Sequence, residues 1–368
     1  MPLRLSLPAL SFLILFTGKT HLFTAQIILN EGPRTSNKSL FTGFPVLYYT
    51  PETRFAGGLT GLSLFNFRKD TVGAPKSVIS ILAVYTQNKQ WLFSIPFNLF
   101  VRNRTYLVYG EVTYNRFNYN FYGVGNQVPV SFSERYGVEF PRLRFTCLRK
   151  IRPHFYAGLR YAFDKYRLFN LDSTGLLSKG TIPGATGGTV SGLGAVLMWD
   201  KRDNIFYPSK GHWAEFVVYH DDALTGSSFN YTRLALDVSK YLSAGQNILA
   251  LNFYSIYTNN DLPFFQMATL GGQKKMRGYY EGRYRDNNAI LFQAEYRRMI
   301  WGPFGVAVFG SLGQVAPRYF AFNKKDWRIT GGAGLRVMMD AKQKITIRLD
   351  AALGNGKILP YFTIGEAF

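Results

Sequence analysis

The sequence predicts an all-β protein whose strands close into one sixteen-stranded antiparallel transmembrane β-barrel. Three observations predict this fold class. Aromatic residues make up 17% of the chain and charged residues only 18%, a composition that favours strands. Polar and apolar side chains alternate with a period of two along most of the chain. Beyond the N-terminal region, no apolar run reaches the ~18 residues that a membrane helix needs.

The charge balance is strongly basic, with 43 Lys and Arg against 22 Asp and Glu in 368 residues, a formal net charge of +21. Such a chain needs an anionic partner or an interior that holds its cations. The basic residues are spread singly rather than in runs, so we expect no nucleic-acid binding. The expected partner is outer-membrane lipid, including anionic lipopolysaccharide. The single cysteine, Cys147, excludes an intramolecular disulfide.

The N-terminus has the layout of an export signal. Arg4 precedes an apolar run over 5–16, and a plausible cleavage site follows Ala25. We therefore expect a signal peptide at 1–25, a short periplasmic segment at 26–42 and the barrel at 43–368, located in a bacterial outer membrane.

The alternation is clearest over 344–350, where Lys, Thr, Arg and Asp alternate with Ile, Ile and Leu. Similar segments recur with short turns and longer loops between them, as in outer-membrane barrels. Predicted strands lie at 44–50, 58–68, 77–87, 91–101, 104–116, 132–148, 153–166, 188–200, 212–221, 229–242, 247–258, 289–299, 303–314, 327–339, 343–353 and 359–368.

One face of these strands is aliphatic and aromatic, whereas the other carries charged residues such as Glu111, Arg160, Arg336 and Arg348. A soluble sandwich needs only seven to nine strands, roughly half of this number. A closed sheet with its apolar face toward lipid and a polar lumen accounts for the alternation and leaves no exposed edge.

The loop between the eleventh and twelfth strands carries the most specific motif, Met276-Arg277-Gly278-Tyr279. A second motif occupies the turn between strands eight and nine and includes Asp200, Arg202, Asp203, Pro208 and Gly211. The chain ends on the aromatic Phe368. In these motifs and their order the chain resembles the BamA/TamA superfamily of outer-membrane proteins, the bacterial surface antigen family.

The resemblance implies that this loop folds into the barrel with Arg277 at its tip, and that Phe368 acts as a C-terminal insertion signal. An arginine in a lumen partly screened from water needs carboxylate or carbonyl partners. Glu295, on the inward face of strand twelve, is the expected partner. Related barrels add an Asp from strand thirteen, where this chain has Ser311, so we expect either that the loop is held more weakly or that Asp286 or Glu281 substitutes.

The resemblance further implies insertion or translocation of polypeptides. The family's assembly factors carry periplasmic POTRA domains, and we expect this chain to be a short form that relies on separate assembly or chaperone subunits. Pro45 and Pro360 are expected to weaken the seam between first and last strands, because proline donates no ladder hydrogen bond. The alternatives are an anion-permeable pore gated by the Arg277 loop, or a non-conducting scaffold.

No enzymatic motif is recognisable. The sequence lacks a Gly-x-Ser-x-Gly elbow, a His-Glu-x-x-His helix and a Walker loop. The one candidate metal cluster, His220-Asp221-Asp222, has the composition of a solvated turn. We therefore expect no catalytic residue, metal or cofactor.

Overall fold

The computed structural model describes residues 40–67, 76–341 and 344–368. The predicted signal peptide lies outside the described residues. Of the predicted N-terminal segment only 40–42 are described, and they belong to the first strand. The barrel sheet therefore begins at Leu40, three residues before the predicted start at 43.

Sixteen strands of the described residues form a closed antiparallel barrel, and two short strands form a separate hairpin, β12 with β13. Each barrel strand pairs with its neighbours in the chain, except that β11 pairs with β14 and β1 pairs with β18. The strands are β1 Leu40–Thr50, β2 Arg54–Phe65, β3 Ser77–Thr86, β4 Trp91–Val101, β5 Tyr106–Phe121, β6 Glu134–Arg152, β7 Phe155–Phe169, β8 Gly188–Asp200, β9 Gly211–Asp221, β10 Tyr231–Ala244, β11 Asn247–Thr258, β12 Ala268–Leu270, β13 Tyr284–Asp286, β14 Asn288–Trp301, β15 Phe304–Ala316, β16 Arg328–Asp340, β17 Ile345–Gly354 and β18 Lys357–Ile364.

Most predicted strands lie within a few residues of the observed ones, and two differ for a physical reason. The predicted strand 104–116 is extended to Phe121, because β6 continues to pair with it as far as Phe121 and Glu134. The predicted last strand, 359–368, ends at Ile364. Gly365 has a φ of +77°, which glycine tolerates well, and it turns the chain out of the ladder.

The two faces of the wall follow the alternation. On β3, Ile79, Ile81 and Tyr85 are exposed on the outer face, whereas Leu82 and Val84 are buried inside. The expectation of a polar interior is correct for only part of the wall. The inner face of β1–β4 is mainly apolar, with buried hydroxyls at Thr60, Ser80 and Ser94, and its apolar side chains pack against one another and exclude water. They are Val46, Tyr48, Ala56, Leu62, Leu64, Val78, Leu82, Val84 and Leu92.

The connections fall at two ends of the barrel. We call the end at which β1 begins the terminus end. It has tight turns such as 153–154, 245–246 and 302–303. We call the opposite end the loop end. It has longer connections such as 170–187 and 259–287. Outer-membrane barrels have short periplasmic turns and longer extracellular loops. In the part of the chain that the structure describes, no helix has the length and apolar character to cross a membrane.

Candidate functional site: the Arg277 loop and the barrel seam

The connection from β11 to β14 packs against the interior-facing side chains of the wall. Its β12–β13 hairpin is buried, and Gly271 N donates a 2.7 Å hydrogen bond to Lys275 O across a tight turn. Met276 follows with a φ of +74°, a left-handed conformation that is costly for a side chain of this size. Its N–H donates to Gln293 Oε1 at 3.1 Å on β14. The turn is thus held against the wall in a strained conformation that presents Arg277.

The guanidinium of Arg277 is bound by two carboxylates. Nη1 donates to Asp350 Oδ2 at 2.5 Å on β17, and Nη2 donates to Glu295 on β14. Its Cζ lies 3.4 Å from the centre of the Phe309 ring on β15. The Arg277 side chain is 1% exposed. Charge-assisted hydrogen bonds in a water-excluded site are strong, so Arg277 fixes the loop to both β14 and β17.

Three further arginines share these carboxylates. Arg297 Nε donates to Glu295 at 2.6 Å, and Arg336 donates to Glu295 at 3.1 Å and to Asp350 at 2.7 Å. Arg348 Nε lies 3.4 Å from Asp350 Oδ2. Beyond these strands Glu366 contributes a third carboxylate, which accepts from Arg336 Nε at 2.9 Å. We call Arg277, Glu295, Arg297, Arg336, Arg348, Asp350 and Glu366 the ionic cluster.

Four cations and three carboxylates make up the ionic cluster. Within it, Glu295 and Asp350 each contact three of the arginines. Buried charges are tolerated only when they are paired and hydrogen-bonded. Loss of Glu295 or of Asp350 therefore leaves three buried arginines without one of their carboxylate partners.

The residues after Arg277 hold the loop close to the seam strands. Gly278 has a φ of +106°, and a Cβ there would lie 2.9 Å from Leu353 O on β17, so only glycine fits. Gly278 N donates to Tyr361 Oη at 3.1 Å, and Tyr361 Oη donates to Tyr279 O at 3.3 Å. Tyr361 belongs to β18, so the loop tip is bonded directly to the last strand.

The structure brings together some of the predicted loop partners. Glu295 contacts Arg277. The Ser311 hydroxyl instead donates to Gln293 Oε1 at 3.3 Å. The Asp286 carboxylate accepts from Asn287 N at 2.8 Å. The second carboxylate on Arg277 is Asp350, which the sequence analysis did not select. Its position in the alternating segment 344–350 is the signal that could have found it, because that pattern places Asp350 on the charged face.

The β1–β2 turn also contacts the loop, although from the opposite side of the seam. Glu52 Oε1 accepts a 2.7 Å hydrogen bond from Glu281 N. Burial raises the pKa of the Glu52 carboxyl to about 7, and the nearby Glu281 carboxylate adds to the rise. Glu281 is thus bonded through its backbone N–H to the turn between β1 and β2.

The strand eight to nine motif builds a turn at the terminus end. Arg202 donates to the Asp200 carboxylate through Nε at 2.9 Å and Nη2 at 2.7 Å, and Asp203 Oδ1 accepts from Ser209 N at 2.8 Å. Pro208 is buried, and Gly211 begins β9. Two contacts join this turn to the opposite side of the barrel. The Arg297 Cζ lies 5.9 Å from the centre of the Tyr207 ring, and Lys344 Nζ lies 3.6 Å from Asp203 Oδ2.

The residues after β18 turn into the barrel. Phe368 is 8% exposed and packs with Tyr241 and Ala250. Its carbonyl oxygen accepts from Arg297 Nη2 at 2.9 Å. The predicted terminal aromatic therefore lies inside the barrel, and its role as an insertion signal stays a prediction.

The loop end is crossed by the 122–133 connection. Gly125 N donates to Arg285 O at 2.7 Å, and Arg328 Nη2 donates to Asn126 O at 2.6 Å. Asn126 also donates to Val315 O on β15. These bonds join the 122–133 connection to the connection that carries the Arg277 loop and to strands β15 and β16.

The seam between β1 and β18 is the weakest pairing of the barrel. In the described residues it has one register pair, Tyr49 with Phe362. By comparison β1 and β2 are in register over all residues from 40 to 50, and β17 and β18 from Ile347 with Ile364 to Gly354 with Lys357. A short ladder offers few backbone hydrogen bonds to hold an edge closed.

The comparisons with known proteins agree with this architecture. The sequence profile described as the Omp85 superfamily domain matches residues 85–340. No curated protein sequence matches the chain significantly.

Solved structures provide the second comparison. The chain is similar to BamA from Haemophilus ducreyi lacking POTRA domains 1-3, with a TM-score of 0.60 and 14% identity over 90% of this chain and 70% of that one. It is similar to CdiB from Acinetobacter baumannii (TM-score 0.57, 12% identity, 89% of this chain and 59% of that one). It is also similar to CdiB from Escherichia coli (TM-score 0.59, 11% identity, 92% and 63%). The chain spans less than two thirds of either CdiB chain, and at these identities the likeness concerns the fold alone.

Proposed function

Because the chain belongs to the Omp85 superfamily, we propose that it is an outer-membrane barrel that assists the insertion or translocation of polypeptides. The barrel itself supplies the site of action in this proposal, and separate accessory subunits deliver the polypeptide. The family and the closed sixteen-stranded barrel support this function.

The seam is the single observation that carries the proposal. One register pair joins β1 to β18, so both strands have backbone N–H and C=O groups available along most of their length. An exposed strand edge templates an incoming strand through main-chain hydrogen bonds. The apolar outer surface beside the seam, which includes Phe55, Leu335 and Leu349, would support the apolar side chains of such a strand.

The Arg277 loop is the element that controls the seam in this proposal. Its tip bonds to Tyr361 on β18 and its Arg277 to Asp350 on β17, while its Glu281 N–H bonds to Glu52 beside β1. The loop therefore spans both sides of the seam. Shifting the loop would change how firmly β18 is held, because the same contacts position both.

A disulfide across the seam tests the proposal. Register partners in antiparallel strands lie about 4.5–5.5 Å apart at Cα, within the range that a disulfide bridges. We expect a Tyr49→Cys and Phe362→Cys pair, in a Cys147→Ser background, to slow insertion of an unfolded barrel polypeptide into vesicles by about tenfold when oxidised, because strand addition needs an open edge. Reduction should restore the rate.

The matched control uses the same position on β18. A Leu349→Cys and Phe362→Cys pair joins β17 to β18, where the ladder is already continuous. It should leave the insertion rate unchanged in both redox states. Equal rates for the oxidised seam pair and the oxidised control would refute the seam as the site of action.

The pore and scaffold alternatives have less support. A pore needs an open path, whereas the loop fills the region of the ionic cluster and connections cross both ends. A scaffold needs no weak seam. Low conductance in planar bilayers together with a seam-dependent insertion rate is the outcome that our proposal expects.

A further inference from the structure

The outer face of β5–β8 at the terminus end concentrates arginines among aromatic side chains. Arg149 is in register with Tyr106 on β5. Arg152 is in register with Phe155 on β7, which in turn pairs with Trp199 on β8. Partners in register share a face of the sheet, so the five side chains form one patch. We call it the arginine–aromatic patch.

This patch faces outward. Leu159 and Leu197, which lie further along β7 and β8 on the same face, are 65% and 44% exposed. Trp199 is 48% exposed, and the irregularity in register between Lys150 and Arg152 brings Arg152 onto the face of Phe155. The patch therefore lies at the edge of the apolar band that would contact hydrocarbon, where Tyr and Trp favour the headgroup level.

The arginines of the patch lack acidic partners. No described carboxylate lies within 4.0 Å of the charged atoms of Arg149 or Arg152, or of Arg102 and Arg104 in the neighbouring turn. Each of these four side chains is exposed.

The loop end of the same strands is built differently. There Glu139 on β6 lies between Arg116 on β5, at 3.5 Å, and Arg167 on β7, with which it also forms an ion pair. Arg116 stacks over the Phe169 ring at 4.5 Å. The two ends thus present similar arginines and aromatic rings, but at the terminus end the neighbouring carboxylate, Asp200, is bound by Arg202 and lies beyond 4.0 Å from Arg149 and Arg152. That difference favours an external anion at the terminus end.

We propose that the arginine–aromatic patch binds the phosphate headgroup of an anionic phospholipid in the adjacent leaflet. Guanidinium groups donate two parallel hydrogen bonds to a phosphate, and basic residues near a bilayer surface attract anionic lipid. The patch faces sideways, next to the apolar band, so a lipid reaches it directly. A soluble partner would approach along the barrel axis instead. This proposal rests on residence in a membrane and not on polypeptide insertion, so the two can fail separately.

Lipid titration of the purified full chain in detergent tests the proposal. Brominated phosphatidylglycerol should quench tryptophan fluorescence at lower concentration than brominated phosphatidylcholine, because Trp199 lies in the patch. An Arg149→Gln and Arg152→Gln double variant should bind phosphatidylglycerol about 30-fold more weakly, from roughly fivefold for each cation near a lipid surface.

The matched control is Arg116→Gln with Arg167→Gln at the loop end of the same strands. It should retain the wild-type preference for phosphatidylglycerol, and circular dichroism should show that both double variants are folded. Equal affinity for the two lipids, or an equal loss in the control, would overturn the proposal. So would equally tight binding of inorganic phosphate or of soluble polyglutamate, since either would remove the need for a lipid.

Discussion

The two walls that meet at the seam are built from different chemistry. The inner face of β14–β17 carries the ionic cluster, in which Glu295 and Asp350 fix the loop through directional contacts. The inner face of β1–β4 is apolar, with Leu82 and Val84 packed among their neighbours. Ionic contacts require one geometry, whereas apolar packing tolerates several arrangements. The loop is therefore anchored by directional ionic contacts on the β14–β18 side, whereas on the β1–β2 side its contact is the hydrogen bond to Glu52.

The largest expected effect comes from Glu295→Gln in the ionic wall. Glutamine keeps the shape but leaves four buried arginines with two carboxylates, and breaking a buried ion pair costs about 3–5 kcal/mol. Urea unfolding in lipid vesicles should show this loss, and trypsin should now cleave at Lys274 and Lys275.

Leu82→Ala in the apolar wall is the matched control for that experiment. A leucine-to-alanine change in a packed core costs about 2–5 kcal/mol. It should lower the free energy of unfolding while leaving the loop protected from trypsin. The comparison between the walls fails if Leu82→Ala exposes the loop as much as Glu295→Gln does.

A smaller effect on stability is expected for Arg277→Ala. Its removal leaves three arginines and three carboxylates, so the ionic cluster becomes electrically balanced, and the loss of the Arg277 hydrogen bonds costs about 1.5–3 kcal/mol. The loop, however, loses its anchor. Trypsin cleavage should therefore rise as much as in Glu295→Gln although unfolding changes less. A loss of unfolding free energy in Arg277→Ala as large as that in Glu295→Gln would contradict this interpretation of the charge balance.

The smallest effect is the pH dependence of the contact between Glu52 and the loop. Because burial raises the pKa of Glu52 from 4.5 to about 7, the folded protein holds a proton that the unfolded chain releases between these values. Stability from this group is complete below pH 4.5 and is lost as the pH rises through 7. Unfolding free energies at pH 6.5 and 8 should differ by on the order of 1 kcal/mol more in wild type than in Glu52→Gln. Identical pH profiles would show that Glu52 does not titrate in this range.

The sequence was sufficient to predict the barrel because the alternation of side chains is local. Each strand carries its own two-faced pattern, so the number of strands and the loop between the eleventh and twelfth could be read directly. Glu295 could be selected for the same reason, since it lies on the charged face of a strand beside the loop. These inferences required no knowledge of which distant strands meet.

The alternation places Asp350 on the charged face, but it does not pair Asp350 with Arg277, because that contact depends on three-dimensional proximity. The two residues are 73 positions apart, and β15 and β16 lie between β14 and β17 in the sheet. The apolar inner face of β1–β4 was missed for a related reason. Alternation identifies two faces, yet when both carry apolar residues the pattern does not say what covers the inner one. The inward turn after Ile364 depends on Glu366 reaching Arg336, which is also a tertiary effect.

The position of Asp350 has a consequence for the order of folding. A contact between residues so far apart in the chain carries a large entropic cost of closure and forms late. Arg277 can meet both of its carboxylates only after β15, β16 and β17 have joined the sheet. An anchored hairpin therefore marks a completed barrel, and an assembly intermediate lacking its final strands would hold that hairpin by Glu295 alone.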